Sequence, residues 1–422
     1  MPFGHFFSIV PTTANGNPSA EALHGSVCCY NSFMRIVLFT DVFLSHPNGV
    51  ATSIVNLATA LGKKGHSVLI VAPRSRGGAA EKKFSAKNVR VLSLFSYPVL
   101  LYPRMRVSMP SLTRVAKELR RFKPDVAHIH TPLGVGLSGL RECKKLDIPV
   151  IGTNHLYLTR DNASFFRLIS SYYLIQKMFS IVTLQYFHMF YGSCTVVSAP
   201  SLVIVDAMRS LKLKRPVVHL PNPLSTARHV SLTPKSILNL KKKWGLRRQV
   251  ILHFGRISPE KNVEAVIRSF ARVHAENKDV SLLIVGEGPA KKKMEALAGS
   301  LHIRHAVVFT GVIEHEKLMR SGIVGLADLF VTASTMENQP MVLLEAMSFG
   351  LPVIAVDAAG LPELVDGNGI LTKPGSIAAM ASAMSKILGD PSLQRKMSAR
   401  SYSIAKEYDP KNVAAKALKF YK

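Results

Sequence analysis

"QVILHFGRISPEKNVEAVIRSFARVHAENKDVSLLIVGEG", residues 249–288, carries the pattern that decides the fold. An apolar run ends at Gly255 and Arg256. A polar turn follows, then a stretch of helical periodicity, then a second apolar run ending at Gly286 and Gly288. Strands that are apolar almost throughout and joined by helices belong to a parallel sheet covered on both faces, because each connection must cross over and neither face meets water. The same unit continues through "AVVFTGV" (306–312), "ADLFVTAS" (327–334), the helix-like "MVLLEAMSFG" (341–350) and "LPVIAVD" (351–357).

An equivalent series precedes it. "RIVLFT" (35–40), the helix-like "GVATSIVNLATALGKKG" (49–65), "HSVLIVAP" (66–73), "VRVLSL" (89–94), "DVAHIHTP" (125–132), "PVIGTNH" (149–155) and "CTVVSAP" (194–200) alternate in the same way. The Pro-rich "VVHLPNPLSTARHVSLTP" (217–234) separates the two series and reads as a linker. A chain of 422 residues exceeds one compact core. The sequence therefore predicts two doubly wound α/β domains, residues 34–222 and 223–399, facing each other across a cleft at the carboxyl ends of both sheets. Residues 1–33 are rich in Gly, Pro, Ser, Asn and Thr, without a basic start or a sustained apolar core, and read as a poorly ordered extension.

Composition limits the partners. With 54 Lys and Arg against 26 Asp and Glu, the formal charge is +28, which favours an anionic partner: nucleic acid, a membrane surface or a phosphorylated substrate. The excess is spread over both halves and marks no single patch. No groove-reading motif and no aromatic platforms interleaved with cations appear, so nucleic acid is not expected. The four cysteines, Cys28, Cys29, Cys143 and Cys194, have no metal-ligand spacing and read as free thiols in a reducing compartment. No H-E-x-x-H or Asp-x-Asp signature appears either, and no metal or other cofactor is expected.

Two segments suggest a membrane surface. In "YPRMRVSMPSLTRVAKELRRFKP" (102–124), Arg114, Lys117, Arg120 and Arg121 share a basic amphipathic helix that suits an anionic bilayer. "MFSIVTLQYFHMFYG" (178–192) is aromatic and uncharged, but polar residues interrupt it. It is expected to pack on the core or dip into an interface rather than span.

The candidate chemistry gathers at strand ends. Arg256 and Lys261 flank a turn where a strand ends and a helix begins, with Ser258 or a neighbour as its cap, an arrangement that suits a diphosphate. Gly49 opens the first helix without a side chain in the way of a phosphate. In "ENQPM" (337–341) and the helix beyond it, Glu337 and Glu345 are carboxylates able to accept hydrogen bonds from hydroxyls. The apolar neighbours of Glu345 indicate a buried helix, where an idle carboxylate is costly. His155 ends a strand at the cleft edge, and His128 and His130 compete with it for a role.

These residues resemble a known family. "GRISPEKN", "VGEGP", "FTGVIEHEKL", "TASTMENQPMVLLEAMSFGLPVIAVDAAGLPELV" and "NGILTKPG", with "RIVLFTDVFLSHPNGVATSIVNLATALGKKGHSVLIVAP", "KPDVAHIHTPLGVG" and "VIGTNH", are similar to retaining GT-B glycosyltransferases of family four. Within it they look most like diacylglycerol glucosyltransferases and phosphatidylinositol mannosyltransferases. The likeness runs over roughly residues 34–422. It implies two Rossmann-like domains, with a last helix over 400–422 returning to the first. It also implies that Arg256, Lys261 and the Gly49 amide hold the donor diphosphate, and that Glu345 holds the ribose. Glu337, Asn338, Gln339, Pro340 and Met341 would hold the sugar, with His155 near the reaction centre and the base near Gly286, Gly288 and Val312. Transfer would retain anomeric configuration without a divalent metal, the leaving phosphate taking the acceptor proton on the same face.

Two departures stand out. Pro223 replaces the glycine of a frequent Asn-Gly pair, and Gln339-Pro340 stands where Phe-Gly or Gln-Gly is common, which removes an amide donor. The expected reaction moves a hexose, UDP-glucose being the favoured donor, to a lipid hydroxyl such as that of diacylglycerol. The enzyme would work peripherally on the inner face of the membrane. The alternatives are a soluble or polysaccharide acceptor, or GDP-mannose as donor.

Overall fold

A computed structural model of the chain describes residues 33–42, 49–75, 84–99, 102–108, 112–156, 173–224 and 232–422. The expectation for residues 1–33 lies almost wholly outside them. The first series builds β1 (Arg35–Phe39), α1 (Gly49–Lys63), β2 (Ser67–Pro73), β3 (Val89–Leu94), β4 (Tyr97–Val99), β5 (Tyr102–Val107), α2 (Leu112–Phe122), β6 (Val126–Ile129), α3 (Gly134–Lys145), β7 (Val150–Thr153), α4 (Tyr173–Gly192), β8 (Val196–Ala199), α5 (Leu202–Ser210) and β9 (Val217–His219). Seven of these strands form a sheet in the order β3-β2-β1-β6-β7-β8-β9, with every pairing parallel. The winding reverses beside β1, so its carboxyl end opens a crevice.

The second series builds α6 (Pro234–Lys243), β10 (Gln249–Phe254), α7 (Val263–Glu276), β11 (Val280–Val285), α8 (Lys291–Ser300), β12 (Val307–Gly311), α9 (His315–Arg320), β13 (Leu329–Val331), α10 (Met341–Ser348), β14 (Val353–Val356) and β15 (Gly369–Thr372). Its parallel sheet runs β12-β11-β10-β13-β14-β15, and here the reversal falls beside β10, the strand that ends at Gly255 and Arg256. Gly286, with φ +147°, passes so close to this end that a Cβ on it would lie 1.9 Å from the Gly255 carbonyl. No side chain fits that approach.

α11 (Ile377–Gly389) and α12 (Pro391–Glu407) cover the second core, to which Met384, Ile387, Met397 and Ile404 contribute. α13 (Pro410–Tyr421) instead crosses to the first sheet. There Val413, Ala414, Ala417, Leu418 and Tyr421 pack with Ile36, Leu38, Ile54 and Leu57. The reason is its apolar stripe, at i, i+1, i+4, i+5 and i+8, which suits one helix face.

Three sequence readings change. "VVH" pairs as the edge strand β9 where a linker was read, since its short apolar run completes the parallel sheet. β4 and β5 pair antiparallel, so the basic segment is a strand before it is a helix. The amphipathic α2 turns Val115, Ala116 and Leu119 into the first core, leaving Arg114, Lys117, Arg120 and Arg121 exposed. Its apolar face is already covered by protein, so only its cations are left to meet a bilayer. In α4, Phe187, Phe190 and Tyr191 join the core while Ile181, Val182 and Met189 stay exposed. Among the described residues no helix is long and apolar enough to cross a membrane.

Candidate functional site

The site is built where the carboxyl ends of the two sheets meet. Beyond β10, Arg256 is exposed, and Pro259–Lys261 forms a single 3-10 turn before α7. The helix therefore starts later than the sequence suggested. Asn262, at φ +47°, separates it from the turn, and Ser258 donates to the Glu260 carboxylate at 2.5 Å rather than capping α7. Burial pushes the Glu260 carboxyl up, but the Ser258 hydroxyl and the nearby Lys261 and Arg256 charges outweigh it and hold it below the usual value. The Glu260 carbonyl also accepts from Thr335 N–H at 3.3 Å, which ties the turn to the segment leaving β13.

That segment delivers the first carboxylate. Glu337 Oε1 lies 2.5 Å from Lys261 Nζ, with both side chains largely covered at 12% and 25% exposure. The expected phosphate-side cation and sugar-side acid are thus one ion pair across two loops of the second domain. Its neighbour Asn338 reaches the first domain, donating from Nδ2 to the His155 carbonyl at 2.5 Å. Gly360 permits this path, since a Cβ there would sit 1.9 Å from the Asn338 carbonyl.

Gln339 behaves differently from its sequence-based assignment. Its Oε1 accepts from Asn222 N–H at 2.6 Å, and Asn222 Oδ1 accepts from Ser53 Oγ at 2.8 Å. The buried Gln339 amide is engaged by the linker backbone, so it is not free as the sugar contact expected from the sequence. Pro340 precedes α10, and its carbonyl accepts from the Leu343 and Leu344 amides. Met341 opens α10 against Gly49, where a Cβ would lie 3.2 Å from Met341 Cγ. The N-termini of α1 and α10 therefore converge, and both carry the positive end of a helix dipole.

Glu345, one turn into α10, is 5% exposed. Its Oε1 lies 2.8 Å from His315 Nε2, and that bond lifts the His315 imidazole above its ordinary value despite partial burial. Gly288 packs against Ile257, where a Cβ would lie 2.1 Å from the carbonyl, and Val312 stands 72% exposed beyond β12. Across the cleft, His128, His130 and His155 form one stack. Ring centroids are 4.1 Å apart between the first two and 5.5 Å between the last two. His128 is a core residue, held between Tyr421 OH at 2.6 Å and Thr153 Oγ1 at 2.5 Å. Burial pushes His155 down to about 4 and His130 well below the ordinary imidazole value, so both imidazoles are neutral near pH 7.

A cation–carboxylate pair, two helix N-termini and a neutral histidine around one cleft suit a phosphorylated sugar donor. Residues 47–228 match the family described as Glycosyltransferase Family 4, and residues 237–404 match Glycosyl transferases group 1. Together they span most of the chain. The chain is a GT-B glycosyltransferase. It is 29% identical to an alpha-monoglucosyldiacylglycerol synthase of Streptococcus pneumoniae, over 76% of this chain and 71% of the relative. It is 25% identical to a GDP-mannose-dependent alpha-mannosyltransferase of Corynebacterium glutamicum, over 92% and 88%. The Anabaena HepE crystal structure with UDP shares the fold with a TM-score of 0.70 at 19% identity, covering 92% of this chain and 99% of that one.

Sequence reasoning missed three participants in this glycosyltransferase. His315 sits inside the motif "FTGVIEHEKL", but nothing in its spacing announces Glu345 as partner. Asn222 lay within the segment read as a linker, and Glu363 had drawn no reading of its own. The Glu363 carboxylate in fact accepts both the Leu202 and Val203 amides at 2.8 Å, so a second-domain acid caps α5 of the first domain. Among the described residues no group of three or more His, Cys, Asp or Glu side chains is placed to hold a metal ion.

Proposed function

We propose that the enzyme moves a hexose from a nucleotide-diphosphate sugar, UDP-glucose being the favoured donor, to a hydroxyl of a diacylglycerol-type lipid at an anionic membrane surface, with retention of configuration. The observation that carries the donor half is the continuous run Lys261–Glu337, Asn338–His155 across the cleft. It sets a cation for phosphate beside a carboxylate for sugar hydroxyls and a histidine from the opposite domain. Arg256 and the converging α1 and α10 N-termini at Gly49 and Met341 add positive potential for the diphosphate. Glu345, buried and held by His315, has its second oxygen left for a ribose hydroxyl. The developing charge on the leaving phosphate is then met by fixed positive groups, which is where such a site gains rate. That phosphate takes the acceptor proton on the face it leaves.

The acceptor half rests on the Streptococcus relative's name, on the outward cations Arg114, Lys117, Arg120 and Arg121, and on the exposed Ile181, Val182 and Met189 of α4. Each basic side chain near an anionic surface contributes roughly 1 kcal/mol. Thermal unfolding with a panel of nucleotide sugars tests the donor, since a ligand at about 100 times its Kd stabilises by about 2.7 kcal/mol. UDP-glucose should give the largest shift, and a larger shift with GDP-mannose reassigns the donor. Co-sedimentation with phosphatidylglycerol vesicles tests the surface. The double variant Arg120→Glu/Arg121→Glu should lose binding that the parent shows, and equal binding of both removes α2 from the interface.

A further inference from the structure

His130 has no role in the reaction described so far, yet it makes the one side-chain contact to the His155 ring among the described residues that is a hydrogen bond. His130 Nδ1 lies 3.3 Å from His155 Nε2, with the two ring planes inclined by 20°. The other nitrogen of His130, Nε2, is buried and has no polar partner among the described residues. Its far face is covered by the His128 ring, itself fixed by Tyr421 and Thr153. His130 is 3% exposed, and its backbone N–H is fixed by the Phe39 carbonyl at 2.9 Å. The ring therefore has a rigid seat and one polar contact.

Two tautomer arrangements satisfy a bond between neutral imidazoles. If His155 Nε2 carried the proton, His130 Nδ1 would accept it, and the His130 proton would sit on Nε2 as a buried N–H without an acceptor. If His130 Nδ1 carries the proton, only a bare acceptor is left short. Buried N–H groups without an acceptor are rare in folded proteins, while an acceptor left short is tolerated more often. The second arrangement wins. Its consequence lies one ring away, because His155 must then carry its own proton on Nδ1.

We propose that His130 is a positioning residue that locks His155 as the Nδ1–H tautomer, so that His155 offers a hydrogen-bond donor, not an acceptor, to an oxygen of the donor sugar. The Asn338 bond to the His155 carbonyl fixes the backbone of the same residue from the opposite domain, so ring and main chain are held from two sides. A donor at this place is matched to sugar oxygens and to the negative charge that builds on the leaving group. The assignment rests on the proposed transfer reaction for its purpose, but its geometry does not depend on which hexose is carried.

The test uses the full chain labelled with 15N-histidine. Long-range 1H–15N spectra, with His155→Gln identifying the His155 signals, should show a protonated Nδ1 and a bare Nε2 in the parent. His130→Leu should abolish that fixed pattern and lower kcat about tenfold to a hundredfold, the size expected when a reacting group loses its orientation. KM for the nucleotide sugar should move much less. His130→Asn retains an N–H at the δ position and should recover most of the loss, which a purely structural role would not produce. An Nε2–H pattern in the parent, or an unchanged His155 pattern in His130→Leu, overturns the positioning assignment. The spectra need no substrate, so an Nδ1–H pattern in a chain that transfers no sugar from any nucleotide donor overturns the functional reading instead.

Discussion

At the scale of residues, two acids divide the work. Glu337 is paired with Lys261, so under the proposed function Glu337→Ala removes the acceptor for a sugar hydroxyl and also frees the cation meant for the diphosphate. Hydrogen bonds to charged groups contribute about 1.5–3 kcal/mol, so kcat/KM should fall about tenfold to a hundredfold. Steady-state kinetics should place this loss mainly in kcat, and unchanged transfer by Glu337→Ala would remove it from the site. Glu345→Ala should instead raise the donor KM about tenfold, with isothermal titration of the free nucleotide as the check. The His315 bond adds a pH signature. Because Glu345, with help from Glu316, raises the folded-state value of His315 above 6.5, the stabilisation is fully present below about 6.5 and is lost as pH rises through the higher folded value. His315 is 44% exposed in its side chain, so the effect is roughly 1 kcal/mol or less. The difference in unfolding free energy between parent and His315→Gln should be largest below about pH 6.5 and shrink as pH rises above it. The sequence made Glu345 legible because apolar neighbours surround it. It hid His315, since a partner thirty residues away is set by the tertiary fold and by no local spacing.

At the scale of elements, the last helix has a measurable duty. α13 returns to the first core, and its Tyr421 hydroxyl satisfies His128 Nδ1 inside that core. Tyr421→Phe leaves the buried imidazole nitrogen without a partner, which costs about 1–3 kcal/mol. Chemical denaturation should show that loss with little change in slope, and a variant as stable as the parent would mean that His128 finds another partner. The parallel strands were legible because a sheet buried on both faces needs runs apolar throughout. The antiparallel pair β4–β5 and the edge strand β9 were not. A strand of three residues, and a strand whose sequence is largely polar and basic, carry too little apolar pattern to stand out. The amphipathic α2 shows the opposite failure: its pattern was read correctly, but periodicity does not say whether a protein core or a lipid covers the stripe.

At the scale of the whole molecule, the linker and the interdomain bonds tie donor site and domain arrangement together. Gln339 grips Asn222, Glu363 caps α5, and Asn338 holds His155. None of these was legible, because each joins residues more than a hundred positions apart whose only common feature is polarity. Buried neutral histidines add a shared acid lability. Burial pushes His128 to about 3, His155 and His253 to about 4, and His130 well down. The unfolded chain therefore binds more protons below 6.5, and stability falls as pH drops from there toward these values. Each such histidine contributes up to about 1.4 kcal/mol per pH unit. Denaturation at about pH 7 and about pH 5 should differ by at least about 2 kcal/mol, and a flat profile would contradict neutral burial. The central claim, transfer to lipid, meets its most direct test in one assay: labelled UDP-glucose incubated with the enzyme and diacylglycerol in phosphatidylglycerol vesicles. The account predicts a labelled α-glucosyl diacylglycerol, made only when lipid is present. Absence of any glycolipid with UDP-glucose, UDP-galactose or GDP-mannose, or equal transfer to a soluble acceptor without vesicles, would contradict it.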